Sequence, residues 1–189
     1  MFEKSDETLI AKALKGKKSA WLTLVKRYEK LIYNYALRMV NDPADAMDLM
    51  QDIFIALFKN LSSFRGECPF KNWLFKIAHY RCLEFYRRKR PMQSLDEVPE
   101  QDDDSANGIE KSLFIKQQNS ALMQAMQYLP VKQKLVVELK FFQQCTFEDI
   151  SQQLGISPNT AKSQLYSALD KLKAKLSDGL INKSEVEYV

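Results

Sequence analysis

The chain has 189 residues, and its 28 Lys and Arg against 24 Asp and Glu leave a net charge of +4, a length that suits one domain or two small ones. With only 5 glycines and 6 prolines, the composition fits a helical protein better than a turn-rich β protein. No apolar run approaches the roughly 18 to 20 residues of a membrane span, and Met1 to Ser19 holds no signal-peptide block, so the protein is expected in the cytoplasm without inserting into a membrane.

Taken in chain order, Lys18 to Val40 is the first long helix, with Trp21, Leu24, Val25, Tyr28, Leu31, Ile32, Tyr35, Leu37 and Met39 at helical spacing. Asp42-Pro43 starts a second, as an N-cap followed by proline at the first helical position. It runs to about Leu61, with Ala46, Met50, Ile53, Phe54, Leu57, Phe58 and Leu61 on its apolar side. A turn over Arg65 to Cys68 precedes Pro69, which opens a third helix to about Arg90 that buries Phe70, Leu74, Ile77, Ala78 and Phe85. Three amphipathic helices should pack as one small bundle.

Between Met92 and Glu110 the charge inverts. Asp96, Glu97, Glu100, Asp102, Asp103, Asp104 and Glu110 stand with no Lys or Arg and few apolar residues. Such a segment buries too little apolar surface to offset its ordering entropy and reads as a flexible linker. Beyond it, Ser112 to Tyr128 is a helix and Leu129-Pro130 begins another, with Val131, Leu135, Val136, Leu139 and Phe142 apolar. Thr146 caps a short helix, Phe147 to Leu154, with Asp149 as its capping-box partner. Gly155-Ile156 turns the chain, and Ser157-Pro158 opens a last helix to about Leu176. The expected fold class is all-α. Two small helical domains, 1–90 and 111–180, are joined by a flexible acidic linker at 91–110 and followed by a tail at 181–189.

Three groups of residues carry chemistry. The last two helices read as a helix-turn-helix with Ile150, Leu154, Ile156, Ala161, Leu165, Leu169 and Leu172 as shared core. Asn159, Thr160, Lys162, Ser163, Gln164, Tyr166 and Ser167 are then left outward, able to bond base edges or phosphates. In the Phe70–Arg90 helix, Trp73, Lys76, Tyr80, Leu83 and Arg87 form a stripe that ends in Arg87-Arg88-Lys89-Arg90. Rings for stacking alternate with cations for phosphate tracking, which suits single-stranded DNA as well as it suits a core edge beside a solvated basic face. Asp45, Asp48 and Asp52 fall on one stripe of the second helix beside Leu49 and Gln51, either a solvated face or a docking surface for a basic partner.

Enzyme chemistry is poorly provided for. There is no glycine-rich phosphate loop, GxSxG or HExxH. One histidine, His79, and three scattered cysteines, Cys68, Cys82 and Cys145, cannot easily supply the paired ligands of a zinc site. Reduced, unpaired thiols are the simple reading, and no catalytic residue, metal or cofactor is expected.

At this point the sequence resembles a known family. Asp45-Ala46-Met47-Asp48-Leu49-Met50-Gln51-Asp52-Ile53-Phe54 is similar to the core-polymerase-binding motif of bacterial sigma factors. Phe64-Arg65-Gly66 and Phe70 to Ala78 resemble the promoter-melting segment of the extracytoplasmic-function (ECF) group. Leu129-Pro130, Thr146 to Ser157 and Thr160-Ala161-Lys162-Ser163 resemble that group's C-terminal DNA-binding region.

The resemblance implies that Asp45, Asp48, Leu49, Gln51 and Asp52 dock on core RNA polymerase. Arg65, Trp73 and Tyr80 would open the minus-ten element and hold an extruded base, with Lys76, Arg81, Arg87 and Arg88 on its backbone. Asn159, Thr160, Lys162, Ser163, Tyr166 and Ser167 would meet the minus-thirty-five duplex. The linker would thread toward the RNA exit path, and an anti-sigma factor would be a further partner. Met47, Tyr80, Glu84 and Gln164 depart from the family's usual Glu, Asn, Asp and Arg. The alternatives are a stand-alone helix-turn-helix regulator and a protein-interaction adaptor.

Overall fold

The structure is a computed structural model that describes residues 5–89 and 121–185, with side chains described as far as Ser177. Among these residues every regular element is helical. The chain divides into two compact units, Met1–Arg88 and Lys89–Val189. The acidic linker expected at 91–110, and the part of the Ser112 to Tyr128 helix before residue 121, lie outside the described residues.

Among the described residues the first unit holds four α-helices where three were expected: α1 (Asp6–Leu14), α2 (Lys18–Val40), α3 (Pro43–Asn60) and α4 (Phe70–Lys89). The unforeseen α1 is capped by Ser5, whose side chain accepts from the Thr8 amide at 3.3 Å. Asp6 fastens α1 to α2, accepting from the Arg27 guanidinium and from the Tyr28 hydroxyl, each at 2.5 Å. Burial, and then the bond to Asp6, push the Tyr28 phenol above its usual range. Asn41 ends α2 in the left-handed conformation (φ 56°), and its amide donates to the Leu37 carbonyl at 2.8 Å. Asp42 then caps α3 as expected, accepting from the Asp45 amide at 2.8 Å.

The core of this unit is built from Leu24, Ile32, Tyr35 and Met39 of α2, Leu49, Ile53 and Leu57 of α3, and Leu74, Ala78 and Cys82 of α4. Two expectations for α3 need correcting. Leu49, read as a polymerase contact, is fully buried, so its side chain has no surface to offer a partner. Phe58, read as core, is 65% exposed. The cause is a helix apolar on more than one side: Ala46 and Ala56 are turned inward, while Met47, Ile55 and Phe58 are left outside. On α4, Phe75, His79 and Cys82 join the buried side and Ile77 is only half-buried.

The second unit begins in the described residues with α5 at residues 121–127, then α6 (Val131–Val137), a π-helical turn (Glu138–Phe142), α7 (Phe147–Leu154) and α8 (Pro158–Glu185). Met126, Leu129, Val136, Leu139, Ile150, Ala161, Leu165, Ala168 and Leu172 form its core. Lys134 and Glu138, one turn apart, are fully buried within it. Buried charge needs polar partners: Lys134 Nζ donates to Gln127 Oε1 at 2.8 Å, and Glu138 Oε1 accepts from Gln143 Nε2 at 3.0 Å. The last helix continues past the expected end near Leu176 to Glu185. No proline interrupts it, and Gly179 costs a helix only about 1 kcal/mol.

Candidate nucleic-acid interface

The helix-turn-helix is held by local bonds at both of its joints. Thr146 and Asp149 form a reciprocal capping box: Asp149 N donates to Thr146 Oγ1 at 3.1 Å, and Thr146 N donates to Asp149 Oδ2 at 2.9 Å. Those bonds to Thr146 hold the Asp149 carboxyl below its ordinary value of 3.8. At the other end of α7, Gly155 adopts φ 66°, and its amide and that of Ile156 both donate to the Ser151 carbonyl, at 2.9 and 3.3 Å. A left-handed residue here is what turns the chain from α7 toward α8. Ser151 Oγ closes the turn by donating to the Ile156 carbonyl at 2.6 Å. Ser157 then caps α8, accepting from the Thr160 amide at 3.0 Å.

With that frame set, Asn159, Lys162, Ser163 and Tyr166 are exposed at steps of three and four, one continuous stripe on α8. Tyr166 is 64% exposed, a ring with no core to serve. Thr160 is exposed, but its hydroxyl lies 2.8 Å from that of Ser157. Ser167 is half-buried and accepts from Gln133 Nε2 at 3.1 Å. It belongs to the seam between α6 and α8 rather than to the open stripe where it was expected.

Phe147 was read as the first residue of α7 and nothing more. Its ring carries two cations, with Lys140 Nζ 4.8 Å and Lys162 Nζ 5.5 Å from the centroid. Lys140 also donates to the Cys145 carbonyl at 3.2 Å. An ammonium held over a ring has lost part of its freedom before any phosphate arrives. Lys140 approaches from the π-helical turn, which the periodicity of α6 does not reveal.

In the first unit the stripe on α4 carries Lys76, Tyr80 and Arg87 exposed and Trp73 and Leu83 half-buried. Trp73 is packed 5.3 Å from Phe64 and 5.9 Å from Phe70, whose ring meets Tyr28 edge-on at 5.5 Å. This aromatic stack sets Trp73 against the core with part of its surface open. Tyr80, seven residues further along α4, is 57% exposed. Arg65 is exposed in the loop that Gly66 turns at φ 74°. Arg81 is less free than expected: it pairs with Glu84 at 2.6 Å and its guanidinium lies 5.8 Å from the Tyr80 ring. Arg88 pairs with Asp52 at 2.5 Å.

On α3, Asp48 and Gln51 are exposed and Asp45 and Asp52 half-buried. Running along them are the exposed Met47, Ile55 and Phe58, the last edge-on to Trp21 at 5.2 Å. An acidic stripe flanked by open apolar side chains is a better docking face than the acids alone. The clue in the sequence was apolar residues in excess of one helix face.

Among the described residues no cluster of His, Cys, Asp or Glu could hold a metal ion, and no helix is long and apolar enough to cross a membrane. Cys68 is exposed, Cys82 and Cys145 are buried, and none of the three is joined in a disulfide.

Comparison with known proteins gives this arrangement a family. Residues 24–91 match the model described as Sigma-70 region 2, and residues 119–172 the one described as Sigma-70, region 4. The ECF RNA polymerase sigma factor SigW of Bacillus subtilis (strain 168) is 27% identical over 178 residues, covering 89% of this chain and 95% of that protein. Among solved structures, CnrH in complex with the cytosolic domain of CnrY shares the fold with a TM-score of 0.66 at 22% identity, over 93% of this chain and 99% of that one. The sigma factor RpoE of Bartonella quintana, in complex with the anti-sigma factor NepR, gives 0.62 at 18% identity, over 82% and 95%. With both regions matched in order and relatives of the same length, the chain belongs to the ECF family of RNA polymerase sigma factors.

Proposed function

We propose that this protein is a dissociable initiation factor that directs core RNA polymerase to particular promoters and helps to melt them. One observation carries the reading. A single helical unit bears both a docking face on α3 and an aromatic–basic face on α4, and a second unit bears a duplex reader on α8. A repressor needs only the last of these.

In this reading Asp45, Asp48, Gln51 and Asp52, with Met47, Ile55 and Phe58 beside them, dock on the polymerase, and Leu49 serves by holding α3 in place. Trp73 and Tyr80 offer faces to unstacked bases of the minus-ten element, while Lys76, Arg87 and the Arg65 loop meet its backbone. Asn159, Lys162, Ser163 and Tyr166 enter the groove of the minus-thirty-five duplex, and Phe147 steadies the Lys162 and Lys140 cations near its phosphates. Bond making in RNA synthesis is left to the polymerase. The factor acts in the cytoplasm, where chromosome and polymerase are, and an anti-sigma protein covers its functional faces when it is idle, as NepR accompanies RpoE.

The test is reconstitution. Core enzyme supplemented with this protein is expected to initiate at a promoter selected from genomic fragments, and core alone is not. A protein that never binds core, yet footprints a duplex by itself, is a stand-alone regulator instead.

A further inference from the structure

Two side chains with different proposed partners are bonded to one another. Arg88 Nη2, in the last turn of α4, donates to Asp52 Oδ2 on α3 at 2.5 Å, a contact that spans 36 positions of sequence. Asp52 belongs to the docking stripe, and Arg88 continues the basic track toward the melted strand. Neither is locked in the core: the side chains are 63% and 38% exposed, Arg88 and Asp52 respectively. The pair can therefore open without cost to the packing of α3 and α4.

We propose that this pair is an internal brake on strand binding, released by docking. In the free chain Asp52 neutralises Arg88 and holds it against α3. When a basic polymerase surface takes Asp52, Arg88 is freed to join Lys76 and Arg87 on the strand. The identity of the two partners rests on the sigma-factor reading, but the brake itself is a property of this chain.

The magnitudes suit such a device. An exposed ion pair shifts an equilibrium by at most about fivefold. Close charge pairs at a protein interface are worth more than about tenfold. The internal pair is thus strong enough to bias Arg88 and weak enough to be exchanged. A neutralised arginine releases no counterion from DNA, whereas a freed one adds about 0.7 to the slope of log affinity against log salt on a single strand.

Binding of the full-length chain to a random-sequence single-stranded oligonucleotide, followed across a salt series without polymerase, tests the brake. Asp52→Asn is expected to bind about two- to fivefold more tightly, with a slope steeper by about 0.7. Asp48→Asn removes the same charge one turn away without touching Arg88, and should leave the slope unchanged. The double variant Asp52→Asn/Arg88→Gln should fall back to wild-type affinity or below. In a separate titration with core enzyme, Arg88→Gln is expected to bind core more tightly, because Asp52 is no longer occupied. The brake is overturned if Asp52→Asn binds the strand no better than Asp48→Asn, if neither variant nor wild type binds it, or if Arg88→Gln weakens core binding. Failure of every form to bind core would instead sink the sigma-factor reading, and the strand assay would still decide the brake.

Discussion

The Tyr35 hydroxyl lies 3.0 Å from Nδ1 of His79, joining α2 to α4 inside a core that leaves Tyr35 fully buried and His79 2% exposed. Phe75 packs edge-on to Tyr35 at 5.6 Å and tilted against His79 at 5.9 Å, so the polar contact is walled by rings. It fixes the rotation of α4, and with it which side chains of that helix face outward. Tyr35→Phe removes the hydroxyl without removing volume. It is expected to destabilise the first unit by about 1 to 3 kcal/mol, measured as a lower midpoint in urea with unchanged slope.

Leu49 and Asp48 are sequence neighbours with opposite fates, and substitution should separate them. Leu49→Ala leaves a cavity in the core and is expected to cost about 2 to 5 kcal/mol of stability. Asp48→Lys sits on the open stripe and should change the unfolding free energy by no more than about 0.5 kcal/mol. Its effect should appear in core-polymerase affinity, lowered at least about tenfold by charge reversal. Unchanged affinity would remove Asp48 from the docking face.

Trp73 and Tyr80 should differ in the same way. Tyr80→Ala is expected to cost about 1 to 3 kcal/mol in single-strand binding with no change in thermal midpoint. Trp73→Ala also loses contacts with Phe64 and Phe70, so it should lower both strand binding and stability. Slowed promoter opening with intact initial duplex binding, followed by a base-sensitive fluorophore, is the kinetic outcome expected of both.

The capping box ties the second unit to pH. Bonding to Thr146 depresses the folded-state pKa of Asp149. Its contribution is therefore complete above the ordinary carboxylate range and is lost as pH falls through the depressed value. Wild type should exceed Asp149→Asn in thermal midpoint near neutral pH, and the gap should close progressively below about pH 4. Thr146→Ala, which breaks the same box, is expected to cost about 0.5 to 2 kcal/mol.

Gly155 offers a test of the turn itself. A Cβ there meets nothing within 4 Å, so Gly155→Ala adds backbone strain without a clash. The left-handed conformation should cost about 1 to 2 kcal/mol, and duplex binding at fixed salt should weaken without a change in salt slope. A lost slope unit would mean that a cation had moved instead.

By itself the sequence determined whatever local chemistry controls. Asp42-Pro43, Thr146 with Asp149, Gly155 and Ser157 fix where α3, α7 and α8 begin or end, because caps and left-handed turns are settled by a few adjacent residues. The same is true of the family, whose motifs are short linear strings. Which side of an over-apolar helix faces inward is a different matter. On α3 the periodicity put Phe58 on the apolar side and Leu49 on the docking stripe, and only packing within the first unit exposed the first and buried the second. The pairs Asp52–Arg88, Tyr35–His79 and Lys134–Gln127, and the two lysines on Phe147, were likewise decided by tertiary structure. Helix spacing predicts neighbours within one helix, but contacts between elements depend on how those elements are turned against each other.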